Sequence, residues 1–364
     1  EDILTKRHLT KQQRRRIQQN QAKARAEAQT QRESDEHLSS SNQSPSKLSP
    51  ATLGPEQDGR VIASYGTQVD VEPESPSEQS IPTVRRCHLR ANLPTIITGD
   101  KVTWQDSDTL MSNNVSDSMG VVTAQHPRHS ELCRPDSRGK LRPVAANIDR
   151  IAIVVAPYPE PHANLIDRYL VAAEHQSIQP IVILNKADLI DDNNYEILTG
   201  LLDCYIKLGY DCFLTSAQSG EGIESIEDYL EGLTSVFVGQ SGVGKSSLLN
   251  TLSPDINTPV GALSVSKAKG THTTTNSQLF HLPNGGDVID SPGIREFGLW
   301  HLAPPSIAEG FIELRPFIGQ CKFRDCQHQK EPSCAFKQAV DDGNISKKRF
   351  DSYWHMINSL EQES

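Results

Sequence analysis

Residues Gly239-Gln240-Ser241-Gly242-Val243-Gly244-Lys245-Ser246-Ser247 contain the spacing G-x4-G-K-S directly after the apolar run SVFV. Glycines at these positions let backbone N–H groups converge on phosphate oxygens, and a helix beginning at the lysine turns its positive end toward them. Lys245 is expected to reach the β- and γ-phosphates, and the Ser246 hydroxyl to bind Mg2+. This motif predicts a nucleotide site without choosing the base. Asn185-Lys186-Ala187-Asp188, after the apolar run IVIL, chooses it. A carboxylate at Asp188 accepts from guanine N1–H and N2–H2, a donor pair adenine lacks, and a partly buried acceptor rejects the analogue without those donors. Asn185 and Lys186 are expected to shape the loop and cover the base. Ser216-Ala217, ending the segment DCFLTSA, is expected to offer backbone N–H groups to guanine O6.

Asp290-Ser291-Pro292-Gly293 follows a short apolar stretch. Asp290 is expected to hold Mg2+ through water and the Gly293 N–H to sense the γ-phosphate. Upstream, Gly270 to Thr275 reads GTHTTT, where a switch segment supplies a threonine to the metal; Thr273, Thr274 and Thr275 are all candidates, with Thr274 taken as the working choice. The position after the glycine, often a water-orienting glutamine, is Ile294, so intrinsic turnover is expected to be slow. A further cluster, Cys321, Cys326, His328 and Cys334, has the spacing C-x4-C-x-H-x5-C. Three thiolates and one imidazole make a closed tetrahedral shell suited to one structural Zn2+. Cys87, Cys133, Cys204 and Cys212 are read as packing residues.

These motifs need a scaffold. From Ile151 to Leu252 apolar runs alternate with amphipathic stretches: IAIVVA, NLIDRYLVAAEHQ with Leu165, Tyr169 and Ala172 on one stripe, PIVIL, YEILTGLLDCYIKLGY, DCFLTSA, IESIEDYLEGL, SVFV. That pattern predicts a mostly parallel sheet covered by helices on both faces. Before it, short β-branched segments (GRVIASYGTQVDVE, VRRCHLR, TGDKVTWQ, GVVTAQHP) predict a small all-β unit; propensity leaves barrel and sandwich equally open. After Gly298 the alternation stops. Helices are expected around SCAFKQAV and SKKRFDSYWHMINSL, the latter with Phe350, Trp354, Ile357 and Leu360 on one face. The predicted organisation is residues 1–32 as a basic arm unable to bury a face alone, 33–58 as a polar linker, 59–145 as the β unit, 146–300 as the nucleotide domain and 301–364 as a helical zinc domain.

The chain has 364 residues and a net charge of −10, which argues against coating by nucleic acid along its whole length. Residues 1–32 are the basic exception, and with an adjoining barrel they suggest an RNA-contacting arm. Cysteines mixed with histidine at short spacing, no signal-like start and no apolar run of about 18 residues predict a cytoplasmic protein without a membrane segment. A monomer is the default.

The order of the motifs is unusual. Common switch GTPases run from P-loop through switch threonine and DxxG to NKxD and SA; here NKAD and TSA precede the P-loop, HTTT and DSPG. This order, followed by a Cys/His cluster, closely resembles the ribosome small-subunit-dependent GTPase A family, over roughly residues 59 to 360. The resemblance implies an OB-fold barrel, a circularly permuted GTPase domain and a zinc domain. It also implies GTP hydrolysis stimulated by the small ribosomal subunit during its late maturation; the barrel and arm are in turn read as binding rRNA, and hydrolysis as timing release. His272, beside the switch threonines, is the residue the resemblance offers for positioning water. The alternative is an RNA-binding assembly factor that holds guanine nucleotide structurally with little turnover.

Overall fold

The structure, a computed structural model, describes residues 53–74, 84–107, 119–135, 140–253, 277–290 and 304–363. The arm at 1–32, His272, Thr273, Thr274, Thr275, Gly293 and Ile294 lie outside the described residues.

The first five strands are β1 (Leu53–Ser64), β2 (Gln68–Pro73), β3 (Arg85–Leu89), β4 (Lys101–Ser107) and β5 (Gly120–Gln125). They pair in the order β1-β2-β3-β5-β4, and β4 returns to β1, closing an OB-like barrel with β3 and β5 parallel. Closure decides between barrel and sandwich. Val61, Val69, Val71, Cys87, Ile96, Val102, Trp104 and Val122 fill the interior. Within the barrel β1 serves two partners, β4 along Leu53–Arg60 and β2 along Gly59–Ser64. At the crossover a Cβ on Gly59 would lie 2.6 Å from Trp104 Nε1 and 2.8 Å from the Glu72 carbonyl oxygen, so only glycine fits.

Two expected boundaries move. The polar linker does not reach Asp58, because Leu53–Asp58 already pairs with β4; ladder hydrogen bonds use the backbone and tolerate the sequence LGPEQD. The barrel also does not extend to residue 145. β6 (Glu131–Pro135) and β7 (Leu141–Ala146) form a separate two-stranded sheet, and Leu132 and Ala145 belong to the core of the following α/β region.

That region contains β8 (Arg150–Val155), α1 (Ala163–His175), β9 (Gln179–Leu184), α2 (Tyr195–Lys207), β10 (Asp211–Leu214), α3 (Ile223–Leu230), β11 (Thr234–Val238), α4 (Lys245–Leu252), β12 (Gln278–His281) and β13 (Asp287–Asp290). Its strands lie in the order β10-β9-β8-β11-β13-β12, parallel except for the edge strand β12. β8, β9 and β11 are buried along nearly their whole length, as expected for a parallel sheet covered on both faces. Residues of α1 and α2 pack in one core cluster and those of α3 and α4 in another. The chain builds β8-β9-β10 outward to one side, then returns beside β8 to begin β11, so the order reverses between β8 and β11. Ligands of open α/β sheets bind at such a reversal, beyond the carboxyl ends of the strands.

The C-terminal helices α5 (Pro304–Gly310), α6 (Ala335–Asp341) and α7 (Lys347–Glu363) share a core with α1 and β8 through Ile307, Phe311, Phe336, Tyr353 and Met356. They are therefore not packed around a core of their own. Two stripes shift as a result. α1 buries Ile166, Asp167, Leu170, Val171 and Ala173 besides Tyr169 and Ala172, because the sheet covers one side and the C-terminal helices another. On α7 the most buried positions are Arg349, Ser352, Tyr353, Met356 and Ile357, with Phe350 and Trp354 only partly covered.

Candidate nucleotide-binding site and metal centre

The separated motifs meet at the reversal. Asn185-Lys186-Ala187-Asp188 leaves β9, Thr215-Ser216-Ala217 leaves β10, Gly239 to Gly244 joins β11 to α4, and Asp290 ends β13, which lies beside β11 in parallel. Asn185, only 1% exposed, ties three of these loops together. Its Nδ2 donates to the Val243 carbonyl at 3.0 Å, and its Oδ1 accepts from Ala217 N–H at 3.3 Å and Thr215 Oγ1 at 3.4 Å. A Cβ on Gly244, which has φ +91°, would stand 2.5 Å from Asn185 Nδ2; the P-loop glycine and the asparagine are shaped for each other.

Lys186 spans the same gap at the surface, donating to the Gly242 carbonyl at 2.6 Å and the Tyr158 carbonyl at 2.9 Å. Its left-handed backbone, φ 62°, turns the chain sharply into the short 3-10 turn Ala187–Leu189. Asp188 is exposed rather than partly buried, with the buried Ser216 hydroxyl donating to its Oδ1. Ser216 Oγ also accepts from the N–H groups of Gln218 and Ser219, at 3.3 and 3.1 Å, which pins the TSA turn. Lys245 is buried, and its Nζ donates to the carbonyls of Gly239 and Gln240, each at 2.7 Å. The ammonium therefore arches over the P-loop. Ser246 is buried at the start of α4, Gln240 and Ser247 are partly covered, and Ser241 is exposed. Sequence reasoning did not select Tyr158 or Thr215; both act through short-range contacts to Lys186 and Asn185 that no motif spells out.

The model of the RsgA GTPase family matches residues 125–300. A Pseudomonas aeruginosa (strain LESB58) protein named small ribosomal subunit biogenesis GTPase RsgA is 52% identical over 359 residues, covering 98% of each chain. The chain belongs to the RsgA GTPase family. A family member of the same name from Ectopseudomonas mendocina is 56% identical over 311 residues, covering 85% of this chain and 88% of its own. Among solved structures, YjeQ from Thermotoga maritima superposes with a TM-score of 0.65 at 32% identity, covering 84% of this chain and 99% of that one. YloQ, described as a circularly permuted GTPase, gives 0.64 at 30% identity, covering 88% and 99%. The permuted motif order is thus carried by an RsgA-type GTPase fold, with a barrel before the sheet and a Cys/His cluster after it.

In this RsgA GTPase family member, Cys321, Cys326, His328 and Cys334 bring one ligand atom each to within 4.8 Å of one another. His328 Nδ1 lies 3.4 Å from Cys321 Sγ and 3.3 Å from Cys334 Sγ, and the two sulfurs are 4.0 Å apart. Tetrahedral zinc with ordinary Zn–S and Zn–N bonds sets S···S near about 3.8 Å and N···S near about 3.6 Å, so the four groups fit one metal ion. The His328 ring stacks on Phe336, with centroids 4.0 Å apart, which fixes its orientation. Cys334 is buried in the core shared with α1.

Proposed function

We propose that the chain hydrolyses GTP while bound to the small ribosomal subunit, acting in the biogenesis of that particle as the names of its relatives state for them. The observation that carries this reading is Asn185, which joins the guanine-type loop, the TSA turn and the P-loop into one site despite their permuted order.

In this reading Asp188 selects guanine, with Asn185, Lys186 and Ala187 shaping its loop and Ser216 and Ala217 closing the base pocket. Gly239 through Ser247 cradle the phosphates, with Lys245 redirecting its ammonium from the loop carbonyls to them. Mg2+ would be held by Ser246, by Asp290 through water and by a switch threonine, with Thr274 the first candidate; the oxygen donors suit that ion. Bound Mg2+ neutralises charge developing between the β- and γ-phosphates. Gly293 senses the γ-phosphate and His272 orients the attacking water. Cys321, Cys326, His328 and Cys334 would hold one structural Zn2+. The barrel, the arm at 1–32 and the Cys/His segment supply rRNA contacts, and the protein works in the cytoplasm as a monomer. No helix among the described residues is long and apolar enough to cross a membrane.

The test is GTP and ATP hydrolysis by the purified chain, with and without small ribosomal subunits. The expected result is turnover of GTP alone, accelerated by the particle, with the acceleration lost in His272→Ala. Equal use of ATP would refute the role of Asp188, and GTP binding without particle-stimulated turnover would leave an assembly factor that holds its nucleotide passively.

A further inference from the structure

β12 is the edge strand of the GTPase sheet, and the barrel holds it at both ends. At the amino end, Gln278 bridges Ala63 of β1, and the preceding Ser277 accepts at its carbonyl from Thr98 Oγ1 at 2.9 Å while its hydroxyl donates to the Val144 carbonyl at 3.1 Å. At the carboxyl end, His281 stands between two carboxylates. Its Nδ1 lies 2.6 Å from Asp287 Oδ1 on β13 and its Nε2 lies 2.8 Å from Glu72 Oε2 on barrel strand β2. Arg60 of β1 pairs with the other oxygen of Asp287 and donates to Thr234 Oγ1 at 2.6 Å.

Two ring nitrogens that both face carboxylate oxygens must both donate, and only the imidazolium carries two N–H groups. The geometry therefore calls for a protonated His281. Glu72 and Asp287 are the charged groups that face the ring, and Arg60 adds a positive charge one contact away, on Asp287. Hydrogen bonding to Asp287, then the charge of Glu72, hold the imidazole above its usual range against the opposing effect of burial. Asp287 is held below the usual carboxylate range: burial alone would raise it, and His281 and Arg60 together overcome that.

The placement matters because of what lies at the other ends of these strands. Thr234 opens β11, which runs into the P-loop, and Asp287 opens β13, which ends at Asp290 three residues later. β12 begins directly after the segment that carries the switch threonines.

We infer that Glu72 is a positioning residue for the GTPase reaction, acting through His281 and Asp287 to hold the β12–β13 hairpin, and with it Asp290, in register with the P-loop strand. The barrel is in this way wired to the nucleotide site by a proton-dependent clasp. Binding that displaces Glu72 or β2 alters hydrolysis without touching the nucleotide. This rests on the GTPase reading given above.

The sign follows from the raised His281 value. The clasp is complete at low pH and opens as pH rises through the folded pKa of His281, when one of the two contacts loses its proton. The experiment is kcat and KM for GTP measured on the full chain from pH 6 to 9, for wild type, Glu72→Gln and His281→Gln, with GDP affinity as the check on folding. Glu72→Gln keeps shape and a hydrogen-bond acceptor and removes only the charge. In wild type kcat is expected to fall about twofold to fivefold across the clasp transition with KM unchanged, the size of an exposed charge contact. In Glu72→Gln the fall begins at lower pH, and in His281→Gln it is missing. Superimposable profiles for wild type and Glu72→Gln would overturn the inference, as would a loss of kcat that is uniform at every pH. Wild type that turns over no GTP at any pH would instead strike at the GTPase reading itself.

Discussion

Arg349 on α7 and Asp167 on α1 form an ion pair inside the protein, with side chains 2% and 1% exposed. The pair is built into a larger set. Arg349 Nε donates to Glu313 Oε1 at 2.6 Å, Tyr205 OH of α2 donates to Asp167 Oδ1 at 2.8 Å, and the guanidinium lies 4.5 Å from the Phe311 ring centroid. Three helices and the segment after α5 thus share one buried charge network, which bolts α7 to the helices α1 and α2 of the GTPase domain.

Breaking that network strands carboxylates in the interior. Arg349→Ala is expected to destabilise the chain by about 3–5 kcal/mol. Denaturant unfolding at neutral pH measures it, and Arg349→Lys should recover only part, because an ammonium cannot reproduce the guanidinium fork.

Asn185 makes a separable prediction about the nucleotide site. Asn185→Ala leaves buried partners unsatisfied on the P-loop and TSA sides, a loss of about 1–3 kcal/mol. GDP affinity, followed by a fluorescent analogue, should fall by about tenfold or more. Asp188→Asn should act differently: it replaces an acceptor pair by one donor and one acceptor, so guanine affinity drops and xanthine nucleotide, with a carbonyl at C2, is gained. Unchanged guanine preference in Asp188→Asn would remove Asp188 from base recognition.

Metal removal should be felt beyond the four ligands. Because Cys334 and Phe336 belong to the core that includes Tyr353 and α1, chelation is expected to lower the melting temperature of the GTPase region and not only loosen the tail. Metal analysis should find one zinc per chain, and Cys334→Ser should melt like the chelated wild type. A melting curve indifferent to chelator would show that the cluster holds no structural metal.

Three of the four remaining thiols should be quiet. Burial pushes the Cys87, Cys133 and Cys212 thiols up to about 12, with Glu131 adding to the effect at Cys133. Since the thiolate is the nucleophile, these groups are almost wholly protonated at pH 8. Labelling of the folded protein by a thiol reagent should be slow at all three and fastest to change on unfolding at Cys87, which is fully buried in the barrel.

What was legible before folding was local chemistry. The P-loop and NKAD each work through a few consecutive residues, so their types and spacing announce a guanine-nucleotide site, and the Cys/His spacing announces a metal shell. The buried runs IAIVV and PIVIL announce a parallel sheet because both faces of such strands are covered. Other features carry no local signal. Asp167 reads as a polar position on an amphipathic helix, and only the approach of Arg349, 182 residues away, makes its burial tolerable. Leu53–Asp58 reads as linker because its side chains are polar, yet its backbone completes the barrel. Glu72, Arg60 and His281 belong to no motif, and only the meeting of β1, β2, β12 and β13 brings them together.

The amino-acid sequence by itself determined the motifs on which the proposed chemistry rests, since the residues proposed to meet phosphate, guanine and metal lie within short runs. Tertiary structure alone decided that NKAD, the TSA turn and the P-loop meet, that the barrel grips the edge of the GTPase sheet through His281, and that the C-terminal helices share its core. The physical reason is that each of these rests on pairs far apart in the chain, and neither partner's type reveals the other until the sheet and the helices bring them into contact.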